Sequence, residues 1–281
     1  MNEGKSYIKP VGIGEVMRAG TVGEIIESKN PAFAAGDFVV GSQGVQSYAI
    51  SNGKDLTRID AKLAPLPKYL NTLGMPGMTG YFGLLDVGLP KPGETIVVSA
   101  ATGAVGQVVG QIEKIKGCKV VGIAGGPEKC QYAVETLGYD ACIDHKSGSI
   151  AAGLAQHCPQ GIDVYFDNVG GEHLEAALDV MNPGGRVALC GQISQYNAMD
   201  GSQRGPSNLF LATVKGLTLR GFLARMFASD LATFQDEVAA MLANGAVTSA
   251  ETVRHGLDAA PQALVDLLGG GNVGKMLVCL D

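Results

Sequence analysis

The sequence has no long apolar run and few charged residues. Only 17% of its 281 residues are charged, and Met1–Val11 lacks the apolar core of a signal peptide. Two uncharged stretches, 69–85 and 95–112, are interrupted by small or polar residues and are not continuous membrane spans. The formal net charge of −6 opposes binding to nucleic acid or to anionic membranes. We therefore expect neither nucleic acid nor membrane as a partner.

Metal-binding patterns of cysteine and histidine are also missing. No two of the six cysteines are closer than 12 positions, which excludes a CxxC zinc ribbon or redox pair. The histidines show no paired ligand spacing; they are His145, His157, His173 and His255. Several cysteines follow or lie in apolar runs, which predicts buried free thiols in a reducing cytoplasm. We expect no metal site and a cytoplasmic location.

Glycine is abundant, with 41 residues that cluster after apolar runs without any period. Between residues 93 and 225, short apolar runs alternate with helical patterns, which is typical of a parallel sheet with helical crossovers. The predicted strands are Thr95–Ser99, Cys118–Ile123, Asp140–Ile143, Asp163–Phe166, Gly185–Cys190 and Leu217–Phe222. Helices are predicted at Ala104–Lys116, Pro127–Leu137, from about Ser149, at Glu172–Met181 and at Leu231–Leu242. The pattern predicts an α/β fold with a doubly wound, six-stranded parallel sheet.

Both flanks are richer in β-structure. Short strands are predicted at Thr21–Glu27, Asp37–Val40, Tyr48–Ile50, Thr252–His255 and Lys275–Leu280, with a helix at Ala259–Leu268. We interpret the two ends as one split, β-rich domain into which the nucleotide-binding domain is inserted.

A glycine-containing turn follows the first strand of the predicted sheet. Gly103 and Gly106 match the last two positions of a dinucleotide fingerprint, and Ala100 replaces its first glycine. Glycines there let the backbone approach a pyrophosphate at the start of a helix. The alternative interpretation is tight packing of helix on strand without a ligand.

The end of the second predicted strand has no carboxylate. Gly122–Gly126 contains no acid, whereas an NAD site usually has one there for the ribose 2′-hydroxyl. Lys129 follows shortly afterwards, and a lysine without a competing acid suits the 2′-phosphate of NADP(H). The alternative is that Lys129 is a solvated lysine on the helix surface.

Six segments occur in an order that is specific to one family. They are Gly103–Gly106, Gly122–Gly126, Glu128–Cys130, Tyr165–Gly171, Cys190–Asn197 and Gly271–Lys275. Together they resemble the leukotriene dehydrogenase/prostaglandin reductase family of the medium-chain dehydrogenase/reductase superfamily. Ser6–Val22 and Leu73–Thr79 are similar to its bacterial branch.

The resemblance implies a Rossmann sheet inserted in a GroES-like β-barrel domain, with segments 1–72, 73–250 and 251–281. It implies zinc-independent, NADPH-dependent reduction of enones and enals, such as curcumin-like or 15-oxoprostaglandin-like compounds. It also implies a homodimer that pairs through the edge near the sixth strand. Because Met1 corresponds to a position well inside the barrel domain, we expect several strands of that barrel to be missing.

The resemblance also assigns the cofactor contacts, residue by residue. They are Gly103, Ala104, Val105, Gly106, Lys129, His145, Asn168, Cys190, Gly191, Gln192, Ile193, Ser194, Gln195, Tyr196, Phe222, Leu223, Ala224 and Asn272. His145 is a departure, since many members have a tyrosine near the 2′-phosphate. Tyr196 is the implied catalytic residue, which acts through the nicotinamide ribose on the developing enolate; the alternative is a loop anchor.

Two rival functions remain open at this point. A quinone reductase of the same superfamily would share the nucleotide domain and differ only in its pocket. A non-catalytic NADPH-binding protein would result if the missing strands abolished the substrate site. A methyltransferase is disfavoured, because such enzymes usually hold an acid at the end of the second strand. Oxidation of NADPH by an enone would separate an enzyme from a binding protein.

Overall fold

The structure is a computed structural model that describes residues 10–196 and 205–280. Asn197 of the Cys190–Asn197 motif, and residues 1–9 of the predicted first segment, lie outside the described residues. No helix within the described ranges is long and apolar enough to cross a membrane.

Three short antiparallel strands form a sheet in the order β1-β2-β3 before the main domain. They are β1 (Thr21–Glu24), β2 (Phe38–Gly41) and β3 (Thr57–Ile59). The predicted strand Tyr48–Ile50 is wrong, since this segment has no strand geometry and Tyr48 is 78% exposed. The side chains of Ser51 and Asn52 accept bonds from the next-but-one backbone N–H groups, so the chain turns there.

A glycine-rich helical segment follows, which the sequence did not predict. It contains α1 (Met75–Phe82), continued by one turn of π-helix at Gly83–Gly88. Glycine ordinarily disfavours helices, but here a Cβ at Gly77 would lie 1.8 Å from the Thr72 carbonyl oxygen. Close packing therefore explains the glycines of this segment.

The central sheet has six parallel strands, which confirms the predicted fold class. The strands are β4 (Thr95–Ser99), β5 (Lys119–Ala124), β6 (Ala141–Asp144), β7 (Ile162–Asp167), β8 (Met181–Leu189) and β9 (Thr218–Gly221). Their spatial order is β6-β5-β4-β7-β8-β9, so the connection reverses direction beside β4. This reversal places a crevice at the carboxyl ends of β4 and its neighbours.

Helices cover both faces of the sheet. They are α2 (Gly106–Ile115), α3 (Pro127–Glu135), α4 (Ile150–His157), α5 (Gly171–Val180), α6 (Leu211–Val214) and α7 (Leu231–Ala243). Short 3₁₀ helices lie at Leu66–Leu70, Ile193–Gln195, Ala224–Asp230 and Leu257–Ala259. Ile96 and Val98 of β4 are buried in one core with α2, while Val97 is buried in the other with α4 and α5. All five residues of β4 are buried, as expected for a strand that is covered on both faces.

The C-terminal segment returns to the start of the sheet. It forms β10 (Glu251–His255), α8 (Ala260–Leu268) and β11 (Lys275–Cys279), within one residue of the predicted bounds. β10 and β11 pair in parallel, and Gly274 donates its N–H to the Thr102 carbonyl oxygen at 2.7 Å. The division into segments 1–72, 73–250 and 251–281 stays a prediction.

Two buried glutamines of α2 join this helix to the C-terminal segment. Gln107 accepts the N–H of Ala250 at 2.9 Å, and Gln111 accepts the N–H of Thr248 at 2.8 Å. Gln107 also donates to Asn71 at 3.1 Å, so the N-terminal flank meets the same helix. We call Gln107 and Gln111 the glutamine clamp.

Glu113 of α2 is a buried carboxyl group that gives the fold a testable pH dependence. It is fully buried beside the Cys118 thiol, and neither carboxyl oxygen has a nitrogen or oxygen donor among the described residues. Burial raises the pKa of Glu113 from its ordinary value of 4.5 to about 8. Between these two pH values the carboxyl group is protonated in the folded protein and ionised in the unfolded chain. This group's contribution to stability is therefore full at acidic pH and is lost as the pH rises through about 8.

We expect Glu113→Gln to raise the free energy of unfolding by about 1–2 kcal/mol at pH 8 and by less at pH 5, because it removes the buried charge. Urea unfolding at both pH values measures the difference, with the exposed Glu27→Gln as control. A gain that is the same at both pH values would contradict this account.

Candidate functional site

The turn between β4 and α2 is built for a close backbone approach. Ala100 takes the place of the first glycine and has a φ of 49°, in the left-handed region that favours glycine. A Cβ at Gly106 would lie 2.4 Å from the Ala100 carbonyl oxygen, so this position requires glycine. The helix begins at Gly106 rather than at Ala104 as predicted. Ala104 and Val105 therefore belong to the turn, and the N-terminus of α2 points to the carboxyl edge of the sheet.

The end of β5 lies beside an open cavity of about 340 Å³. The cavity is lined by Gly125, Gly126, Pro127, Glu128, Lys129, Gly270, Gly271, Asn272 and Val273. Lys129 lies in the first turn of α3, and its ammonium group donates to the Gly270 carbonyl oxygen at 2.7 Å. Burial, and secondly the charge of Lys146, lower the pKa of Lys129. The structure thus brings Lys129 and Asn272, which are far apart in sequence, to one cavity.

His145 follows β6 and packs over the end of β5. A Cβ at Gly125 would lie 2.8 Å from its Nε2 atom, and its ring meets that of His173 with centroids 5.1 Å apart. His173 is buried in the first turn of α5, and its Nδ1 atom has no partner among the described residues. Burial, and then His145, lower the pKa of His173 to about 4, so His173 is neutral at physiological pH. No sequence pattern pointed to His173.

Asn168 lies directly after β7, where it ties two strand ends together. Its side-chain amide donates to the Ser99 carbonyl oxygen at 2.7 Å, and its N–H donates to the Ser99 hydroxyl at 2.8 Å. The buried carboxylate of Asp167 accepts the N–H of Gly170 at 2.9 Å. Burial raises the pKa of Asp167, and these backbone bonds act in the opposite direction. Asp167 fixes the loop after β7, a role that the sequence did not indicate.

The segment Cys190–Tyr196 follows β8 and packs on the loop after β7. The N–H groups of Cys190 and Gly191 donate to the Asp167 carbonyl oxygen at 2.9 and 3.0 Å. The Ser194 hydroxyl donates to the Val169 carbonyl oxygen at 2.6 Å. Gln192 precedes the short 3₁₀ helix Ile193–Gln195. Backbone bonds thus place this segment at the carboxyl edge.

Tyr196 ends that segment with its side chain 57% exposed. Its hydroxyl oxygen lies 3.5 Å from the Gln192 N–H, and a Cβ at Gly191 would approach it to 3.4 Å. The hydroxyl is therefore held over the loop rather than in the core. An exposed phenol at the carboxyl edge can donate a hydrogen bond to a bound molecule.

Phe222, Leu223 and Ala224 follow β9. The Phe222 ring is buried against Phe166, with centroids 6.1 Å apart, and a Cβ at Gly83 would lie 2.1 Å from it. The Phe222 side chain belongs to the core, so only its backbone remains for a ligand. Leu223 and Ala224 are half-buried at the start of a 3₁₀ helix. These predicted residues thus lie at the carboxyl edge of the sheet, and Asn272 lines the cavity of Lys129 from the C-terminal segment.

Two family models match the chain. Residues 104–244 match the model described as Zinc-binding dehydrogenase, and residues 1–59 match the N-terminal domain of oxidoreductase. Within residues 10–196 and 205–280, however, no three His, Cys, Asp or Glu side chains are grouped so that they could hold a metal ion. The described residues do not fit a zinc site, and we assign no step to a metal.

Individual relatives are similar over nearly the whole chain. NADPH-dependent curcumin reductase of Escherichia coli is 45% identical, over 99% of this chain and 82% of that protein. The NADP(+)-dependent 2-alkenal reductase of Nicotiana tabacum is 42% identical, over 98% and 80%. The crystal structure of CurA from Vibrio vulnificus with NADPH has a TM-score of 0.94 at 45% identity, and the match covers 100% of this chain and 84% of that one. The chain therefore belongs to the medium-chain dehydrogenase/reductase family, as the sequence motifs predicted.

Proposed function

We propose that this chain is an NADPH-dependent reductase of the activated carbon–carbon double bonds of enones and enals. The observation that carries the proposal is its 45% identity, over 99% of its length, to a curcumin reductase that uses NADPH. Two features of the carboxyl edge support the same cofactor. The turn at Gly103–Gly106 suits a pyrophosphate, and the end of β5 offers Lys129 where an NAD site would have an acid.

The proposed roles are those that the family resemblance implies, and the position of these residues at the edge of the sheet supports them. Gly103, Ala104, Val105 and Gly106 would hold the pyrophosphate, and Lys129 with His145 would contact the 2′-phosphate. Asn272 lines the cavity of Lys129 and would contact the cofactor from the C-terminal segment. The remaining proposed contacts come after β7, β8 and β9; they are Asn168, Cys190, Gly191, Gln192, Ile193, Ser194, Gln195, Tyr196, Phe222, Leu223 and Ala224.

The reaction needs a hydride for the β-carbon and stabilisation of the oxygen that becomes an enolate. Bound NADPH supplies the hydride. The loop Cys190–Tyr196, fixed by the Asp167 and Val169 carbonyl oxygens, orients the reacting molecules. The Tyr196 phenol would donate a hydrogen bond to the nicotinamide ribose, which would pass it on towards the developing charge, while solvent delivers the final proton to the α-carbon.

The proposal predicts consumption of NADPH in the presence of benzalacetone, with benzylacetone as the product. We expect this activity to persist after prolonged dialysis against EDTA, because no metal takes part. Loss of NADPH absorbance and chromatography of the product measure this activity. A parallel assay with the quinone menadione as substrate tests the alternative that the protein is a quinone reductase. Absence of turnover with every enone and enal, or loss on chelation with recovery on adding zinc, would contradict the proposal.

A homodimer is the proposed assembly. β9 is an edge strand of the sheet, and two apolar residues at the helix before it are exposed: Phe210, directly before α6, is 74% exposed, and Val214, at the end of α6, is 64% exposed. An unpaired strand beside an apolar helix favours pairing with a second copy. We expect light scattering at micromolar concentration to give twice the chain mass of 28.9 kDa, and Phe210→Glu to lower it. A monomeric parent protein would overturn the assignment.

A cytoplasmic location is part of the same proposal. All six cysteines are free thiols in the structure, which suits a reducing compartment.

A further inference from the structure

Lys146 lies beside the proposed cofactor cavity, although no motif drew attention to it. It follows His145 in the turn after β6, yet its side chain extends over the end of β5. A Cβ at Gly125 would lie 3.0 Å from the Lys146 Cε atom and 2.8 Å from the His145 Nε2 atom. Two basic side chains thus occupy the space that a side chain at Gly125 would need.

One carboxylate oxygen fixes Lys146 relative to α3. Oδ1 of Asp144 accepts the N–H of Gly126 at 2.7 Å and the N–H of Lys146 at 2.9 Å. These two bonds, that of Gly126 first, lower the pKa of Asp144. The Asp144 carboxylate therefore joins the backbone of the loop after β5 to that of the loop after β6. It forms no ion pair with Lys129 or Lys146.

The two ammonium groups lie close enough for their charges to interact. The charge of Lys146 is the second cause, after burial, of the lowered pKa of Lys129. Among the described residues, neither lysine forms a salt bridge, and the polar contact of Lys129 is the Gly270 carbonyl oxygen. Glu128, the acid that lines the same cavity, pairs with neither. Two like charges without a counterion repel each other. A dianion bound between them would attract both, so that the total electrostatic energy of the three groups becomes favourable.

We propose that Lys146 is a second specificity-determining lysine, which binds the 2′-phosphate of NADPH together with Lys129. This inference rests on the proposed function and extends it, because it places discrimination between NADPH and NADH on a pair of lysines. The 2′-phosphate is a dianion in most of its population near neutral pH, and each ammonium group is a point charge that suits it. His145 lies beside Lys146 over Gly125, and its ring packs against that of His173.

The experiment measures dissociation constants of NADPH and NADH by the fluorescence of the reduced nicotinamide, for the parent protein, Lys146→Ala, Lys146→Arg and Lys116→Ala. Lys116 is exposed at the far end of α2. Its replacement by alanine changes the net charge by the same amount as Lys146→Ala, but away from the cavity. We expect Lys146→Ala to weaken NADPH about ten-fold and to change NADH less than two-fold. Lys146→Arg should retain most of the affinity, and Lys116→Ala should leave both constants unchanged.

A second measurement separates the phosphate from the rest of the cofactor. The dissociation constant of adenosine 2′-monophosphate, obtained by competition with NADPH, should be higher in Lys146→Ala than in the parent. That of adenosine 5′-monophosphate should be the same in both. If the parent binds NADPH no better than NADH, the proposed function fails. If the parent prefers NADPH and Lys146→Ala keeps that preference, or weakens both cofactors equally, this inference fails and the proposed function stands.

Discussion

Lys129→Ala is expected to raise the dissociation constant of NADPH about ten- to a hundred-fold and to leave that of NADH nearly unchanged. A charge-assisted bond to a phosphate contributes roughly 1.5–3 kcal/mol, which corresponds to that range. The ammonium group of Lys129 is half-buried on the cavity and bonds to a backbone carbonyl, so its removal takes away a positioned cation rather than a solvated one. Titration of both cofactors by fluorescence measures the effect.

Lys54→Ala serves as the control, since Lys54 is an exposed lysine in the N-terminal flank. Equal weakening of NADPH and NADH by Lys129→Ala would refute the assignment of the 2′-phosphate. It would then favour the alternative that Lys129 is a surface lysine whose loss disturbs α3.

For Tyr196→Phe we expect turnover of an enone to fall by an amount that corresponds to about 1–3 kcal/mol, while NADPH affinity changes less. The substitution removes one hydroxyl and little volume. The hydroxyl is held beside Gly191 at the carboxyl edge, and its hydrogen bond strengthens as charge develops on the substrate oxygen. Because the effect concerns the transition state, kcat should fall more than the cofactor dissociation constant rises.

Steady-state kinetics beside an NADPH titration tests this, with Tyr48→Phe as the matched control. Tyr48 is also exposed but lies in the N-terminal flank, so its hydroxyl should be irrelevant to turnover. Unchanged turnover in Tyr196→Phe would leave Tyr196 as a loop residue and would move the stabilisation of the enolate oxygen to another group.

The central sheet was predictable because each of its strands is a short apolar run between glycine turns. β4 has the predicted bounds, and the other five strands differ from the prediction by a few residues at their ends. The helix α1 was not predictable, since its glycines disfavour helices locally and are explained only by the close packing of Gly77 on Thr72. Strand β3 was not predicted, and a strand at Tyr48–Ile50 was predicted instead, because the pairing of β3 with β2 depends on tertiary contacts.

The candidate site also contains residues that local sequence indicates and residues that only tertiary contacts bring to the site. Lys129 could be proposed from the sequence as a contact of the 2′-phosphate, because an NAD site usually has an acid at the end of the second strand and this chain has none there. Lys146 and His173 could not, since only the folded chain brings one over Gly125 and the other against His145. Phe222 shows the converse, because its position after β9 was right while its ring turned out to belong to the core.

The glutamine clamp has a consequence for the order in which the chain folds. Its bonds to Thr248 and Ala250 join residues that are 137 and 143 positions apart, so they close very long loops. During synthesis the six-stranded sheet can assemble as soon as β9 has emerged, and at that moment the side-chain amides of Gln107 and Gln111 still lack their backbone partners. Ribosomes that stop before residue 248 would release chains in which the side-chain oxygens of Gln107 and Gln111 lack these backbone donors, and such chains are the ones that chaperones and proteases should capture.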